Sequence, residues 1–134
     1  MPSPQAAIGD ADHVLMIFPI WNGTAPGLLR TFLEQTFRPA FTFPDAKPGE
    51  ALGFFFYYTQ RRALKGKTAR IVATMQMPAL VYRWLFRPHP ERNTLRLSGM
   101  GPVRETLIGS VESPNVRSRE RALRVMVTFG RAGC

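Results

Sequence analysis

Hydrophobic positions fall into blocks of three kinds along the chain. The first kind is a short unbroken run: "VLMIF" from Val14 to Phe18, and "ARIVAT" from Ala69 to Thr74. A continuous apolar run of that length is the mark of a strand buried on both faces. "VRETLIGSV" predicts a third strand. The second kind recurs at helical spacing. Leu28, Leu29, Phe32, Leu33 and Phe37 predict a helix with one apolar face, N-capped by Thr24, with Pro26 in its first turn and Pro39 as its stop. Ala122, Val125, Met126 and Phe129 predict a final helix capped by Asn115. Pro78 opens a short helix in "QMPALVYRWLF", "RPHPERN" reads as a loop, and "NTLRLSGM" reads as a helix end with Gly99 near its C-terminus. The third kind has no steady period. Residues 38–66 are irregular, with turn residues in "FPDAKPGE" and an aromatic run, "LGFFFYY", that reads as a short strand, a buried loop or a subunit interface. Residues 1–12 read as a loop or the tail of a helix.

The resulting order is strand, helix, strand, helix, strand, helix. That alternation predicts an α/β layered domain built on a parallel sheet. With 134 residues, the chain amounts to a single domain, 1–134.

Composition narrows the function classes. The apolar share of 45% supports a core. No run approaches the roughly 18 apolar residues of a membrane span, so none is expected. "MPSPQAAIGDADH" lacks a basic region ahead of an apolar one, so no secretory signal is expected and a cytoplasmic protein is. A lone cysteine, Cys134, and two distant histidines, His13 and His89, offer no disulfide framework and no metal-ligand spacing. The net charge of +9 favours anionic partners. The basic residues are scattered and no nucleic-acid motif accompanies them, so nucleic-acid binding is disfavoured.

Candidate chemistry sits in two turns. Ligands of open α/β sheets bind beyond the carboxyl ends of the strands. Pro19, Ile20, Trp21, Asn22 and Gly23 follow the first strand; Thr74, Met75, Gln76 and Met77 follow the second. Both turns are richer than a connection needs. Trp21 offers a flat apolar face, Asn22 and Thr24 offer hydrogen bonds, and Gly23 lets backbone approach a ligand. Backbone N–H groups from both turns could read the edge of a planar heterocycle.

These residues resemble a known family. "ADHVLMIFPIWNGTAPGLLRTFLEQTFRPAFTF" is similar to the central segment of the flavodoxin-like NAD(P)H:quinone oxidoreductases, bacterial enzymes related to DT-diaphorase. The match runs through Ala11-Asp12-His13, Phe18-Pro19, Trp21, Pro26, Leu29-Arg30 and Phe37. "LKGKTARIVATMQMPALVYRW" resembles the family's next strand and loop, and "LSGMGPVRETLIGSV" its last strand.

The resemblance implies a three-layer flavodoxin-like parallel sheet and a bound FMN or FAD. It places Pro19, Ile20, Trp21, Asn22 and Gly23 on one side of the flavin ring and Thr74, Met75, Gln76 and Met77 at its other edge. Tyr82 falls where a family tyrosine shapes the nicotinamide or quinone pocket, and His89 lies near an assisting histidine, so these two are the candidate catalytic residues. The implied reaction is ping-pong hydride transfer from NAD(P)H through the flavin to a quinone-like acceptor, in a homodimer. The flavin carries that chemistry and the protein orients it.

The pattern also departs from the family. Val14–Phe18 corresponds to the third strand of the five-stranded sheet, so two βα units of about 30 residues each have no counterpart, nor has the loop that holds the flavin phosphate. The expected consequence is an open apolar edge on Val14–Phe18. The competing reading is a non-catalytic flavodoxin-like regulatory or interaction subunit, which would be colourless and inert to added flavin.

Overall fold

The computed structural model of the chain describes residues 1–43, 63–86, 90–113 and 115–133. The aromatic run Leu52–Tyr58, His89 and Cys134 lie outside the described residues. Among the described residues, three strands form one parallel sheet in the order β1-β2-β3: β1 is His13–Pro19, β2 is Thr68–Thr74 and β3 is Val103–Ile108. Helices separate them. α1 (Pro4–Asp10) precedes β1. α2 (Gly27–Thr36) and the single turn α3 (Pro39–Thr42) follow it. α4 (Ala79–Leu85) and α5 (Pro90–Leu97) join β2 to β3, and α6 (Val116–Arg131) ends the fold.

β2 is the central strand, and its apolar run is buried from Ala69 to Ala73. Register sorts the side chains into two faces. Met16, Phe18, Ile71, Ala73 and Val103 share one face and pack with Leu33 of α2, Tyr82 of α4 and Leu95 of α5 in one core cluster. On the opposite face Arg70 is buried, donates to Thr106 Oγ1 at 2.9 Å, and lies 3.8 Å from the centre of the Phe129 ring of α6. A cation over an aromatic face is an attractive contact, and here it fastens α6 onto the sheet.

Several expectations are corrected. β1 is not buried on both faces: Met16 and Phe18 are inside, while Leu15 and Ile17 are 54% and 66% exposed. An edge strand beyond the reach of α6 is covered on one side only. The apolar face of α2 divides. Leu29, Leu33 and Phe37 pack inward, but Leu28 and Phe32 are exposed, because they lie about 100° round the helix. α2 is N-capped by Pro26 without a side-chain bond, and Thr24 is not its cap. Pro90 to Asn93 are helical rather than a loop, since proline at a first helical position forfeits no intrahelical bond. Asn115 does cap α6, accepting from the Arg117 N–H at 3.1 Å. Ala122, Met126 and Phe129 turn toward the sheet, though none is fully buried.

Candidate functional site

The site lies at the carboxyl ends of the three strands. β1 runs out at Pro19, and the Ile20 N–H extends its pairing by donating to Thr74 O at 2.7 Å. The chain then reverses tightly. Trp21 N–H donates to Thr24 O at 2.8 Å, and Thr24 N–H returns a bond to Trp21 O at 3.1 Å. Between them Asn22 and Gly23 take φ of 50° and 81°. Two successive positive φ values are the demand of a type I′ turn, and Asn-Gly is the pair that meets it with least strain.

Three side chains brace this turn from behind. Tyr82 Oη donates to Gly23 O at 3.0 Å. Phe86 stacks on Tyr82, centroids 5.2 Å apart, and its ring fills the space where a Gly23 Cβ would go. Thr24 Oγ1 points to Glu91 Oε1 at 3.5 Å. Burial, and then the carboxylates of Glu91 and Glu105, push the Tyr82 phenol from 10.0 up to about 12. Tyr82 is therefore a neutral donor throughout the physiological range.

The second wall is Met75-Gln76-Met77. Met75 N–H donates to Ile108 O at 2.9 Å, while Val111 and Ser110 N–H groups donate to Met75 O and Met77 O, each at 3.2 Å. Gly109 permits this approach, since a Cβ there would collide with the backbone of Met77 and Ala79. Gln76 Nε2 donates to Glu112 Oε1 at 2.7 Å, tying the second wall to a third segment.

Between the walls lies a groove of about 660 Å³ lined by Pro19, Ile20, Trp21, Asn22, Gly23, Thr74, Met75, Gln76, Met77, Val111 and Glu112. That volume is within the range of small-molecule sites. All nine residues expected at a ligand from the two turns line this one groove. Val111 and Glu112 were missed, although the end of the third strand obeys the same rule that marked the first two. Trp21 is 63% exposed, so its indole stands open at the groove. Among the described residues, the backbone N–H groups of Asn22, Gly23, Gln76 and Met77 have no backbone partner. Tyr82 does not line the groove: it is 1% exposed, so the expectation that it shapes a nicotinamide or quinone pocket gives way to a bracing position behind the turn. The structure does not place His89, which is outside the described residues.

The family model described as flavodoxin-like fold (Flavodoxin_2) matches residues 2–128, and the chain belongs to that family. No curated protein matches the chain. Among solved structures, Smu.1420 from Streptococcus mutans is 24% identical with a TM-score of 0.76, over 96% of this chain and 64% of that one. General stress protein 14 from Treponema denticola, in complex with FMN, is 18% identical with a TM-score of 0.65, over 96% and 70%. An NADPH-quinone reductase from P. pentosaceus is 16% identical with a TM-score of 0.64, over 90% and 68%. These likenesses establish the flavodoxin-like α/β fold. The chain spans 64% of the length of Smu.1420. Among the described residues, no helix is long and apolar enough to cross a membrane.

Proposed function

We propose that the groove is the ring-side half of a flavin site, and that the chain is a flavin-dependent NAD(P)H oxidoreductase with a quinone-like acceptor. The observation that carries this reading is the convergence of two strand-end turns on one groove, with a wall of exposed indole and backbone N–H groups that have no backbone partner among the described residues. The donor set fits the group. A flavin ring has an apolar body and a polar edge of acceptors, and the groove offers Trp21 to the first and the N–H groups of Asn22, Gly23, Gln76 and Met77 to the second. Family membership supports the reading, as do the FMN bound in the T. denticola protein and the name of the P. pentosaceus one.

When bound, FMN or FAD would supply hydride transfer from NAD(P)H to the acceptor. The residues of this chain bind and orient. With its phenol raised to about 12, Tyr82 keeps its proton on Oη at neutral pH, and so holds Gly23 O and the turn in place. Gln76 and Glu112 fix the opposite wall. NAD(P)H, a quinone-like acceptor and a second copy of the chain are the partners this reading calls for.

The alternative reading is a non-catalytic flavodoxin-like module, since family membership fixes the fold and not an activity. Titration with FMN and with FAD, followed by NADPH oxidation with menadione, separates the two. Flavin uptake with turnover supports the enzyme, uptake without turnover supports the module, and no uptake refutes the flavin site itself.

A further inference from the structure

α5 divides its charges between two sides. Its acid, Glu91, is buried and turns toward Thr24 behind the groove turn. Its arginines, Arg92 and Arg96, stand one helical turn apart and line a separate cavity of about 380 Å³. Met100, Gly101, Pro102 and Val103, the approach to β3, form the rest of that cavity. It lies at the amino end of β3, whereas the groove lies at the carboxyl ends of the strands. The six residues of β3, at about 3.3 Å each, set the two about 20 Å apart.

Arg92 is positioned from within the protein. Its side chain is 36% exposed, and Nη1 faces Glu105 Oε2 at 3.7 Å, too long for a hydrogen bond. Among the described residues, Arg92 Nε and Glu105 Oε1 are both buried without a hydrogen-bond partner. Glu105 thus orients Arg92 by charge and leaves its donors uncommitted. Arg96 is exposed on the same face of the helix. Among the described residues no acid lines the cavity, and like charges one turn apart repel.

We propose that this cavity binds a phosphate monoester, with its phosphate between Arg92 and Arg96 and its organic group over Met100, Pro102 and Val103. A guanidinium fork takes phosphate oxygens two at a time. A dianion answers both arginines at once, where a carboxylate would answer one. Size decides between an ester and a free ion. The cavity, at about 380 Å³, falls within the roughly 300–1,000 Å³ of small-molecule sites, far more than a lone phosphate fills. Met100 and Val103 are 3% and 6% exposed, so the floor beside the arginines is apolar and packed.

The test is isothermal titration of the 134-residue chain with phenyl phosphate and with inorganic phosphate. It is run in low salt at about pH 8, where both probes are dianions. One phenyl phosphate per chain is expected, bound about fivefold or more tighter than inorganic phosphate, because the ring leaves water on the apolar floor. Arg96→Gln, at an exposed position, weakens uptake about tenfold. Arg92→Lys, which keeps the charge beside Glu105 and loses the fork, weakens it by about the same factor. Arg124→Gln on α6 removes an equal charge elsewhere and leaves the affinity within about twofold. Trp21→Ala, in the groove, leaves it unchanged. Absence of saturable uptake, equal affinity for the two probes, or indifference to both α5 variants would each overturn the assignment. So would an equal loss with Arg124→Gln, which would give the binding to overall charge, or a loss with Trp21→Ala, which would give it to the groove.

Discussion

Tyr82→Phe isolates one hydroxyl that braces the candidate flavin turn. The ring stays, along with its stacking on Phe86 at 5.2 Å, but the 3.0 Å bond to Gly23 O is lost. A buried hydrogen bond contributes about 1 kcal/mol net, and leaving its acceptor bare raises the cost toward 2 kcal/mol. At a urea m-value of about 2 kcal/mol/M, the midpoint should fall by about 0.5–1 M with unchanged slope. The same hydroxyl gives a pH signature. The native phenol is raised from 10.0 to about 12. Below pH 10 both folded and unfolded chains keep the proton, and the bond contributes in full. Between pH 10 and 12 the unfolded chain ionises first, which drains on the order of 2 kcal/mol from the wild type and nothing from the phenylalanine variant. The advantage of the wild type should therefore shrink above pH 10 and close near pH 12. Urea melts of both proteins at pH 7, 10 and 11.5 supply the assay. Equal midpoints at pH 7, or a gap that stays constant through pH 11.5, would refute the bracing role.

Other consequences are as specific. Gly23→Ala puts a Cβ at φ +81 and into the Phe86 ring, so left-handed strain and a displaced rotamer together should cost roughly 2–3 kcal/mol; a melt within about 0.5 kcal/mol of wild type would contradict the turn geometry. Asn115→Ala removes the α6 cap and should cost about 1 kcal/mol in urea titration, with faster amide exchange confined to the first turn of that helix. Trp21→Ala, an exposed position, should leave the unfolding free energy within about 0.5 kcal/mol of wild type while weakening flavin binding; a large drop in stability would place the indole in the core instead.

Much of the fold was legible because backbone order follows from local pattern. "VLMIF" and "ARIVAT" read as strands of one parallel sheet, and both are, although only the second is buried throughout. The two turns after them were legible as a site because strand ends in such sheets face ligands. What escaped were properties set by distant partners. Leu15 and Ile17 look identical in pattern to Met16 and Phe18; only the reach of α6 separates them. Leu28 and Phe32 were read with Leu29 and Leu33 because a five-residue apolar set is wider than the sheet contact it meets. Tyr82 was placed in the pocket by resemblance, whereas its helix turns it inward to Gly23. One local signal was present and unused: Asn22-Gly23 specifies a I′ turn. That turn, not a helix cap, is where Thr24 belongs.

The central claim is that the groove between Trp21 and Met77 receives a flavin ring. Titrating the purified chain with FMN and FAD, read by flavin absorbance and by quenching of tryptophan fluorescence, tests it most directly. Saturable uptake of one flavin per chain is expected, weakened about tenfold by Trp21→Ala, which corresponds to about 1.4 kcal/mol of stacking. No saturable uptake, or uptake that Trp21→Ala leaves unchanged, would contradict it.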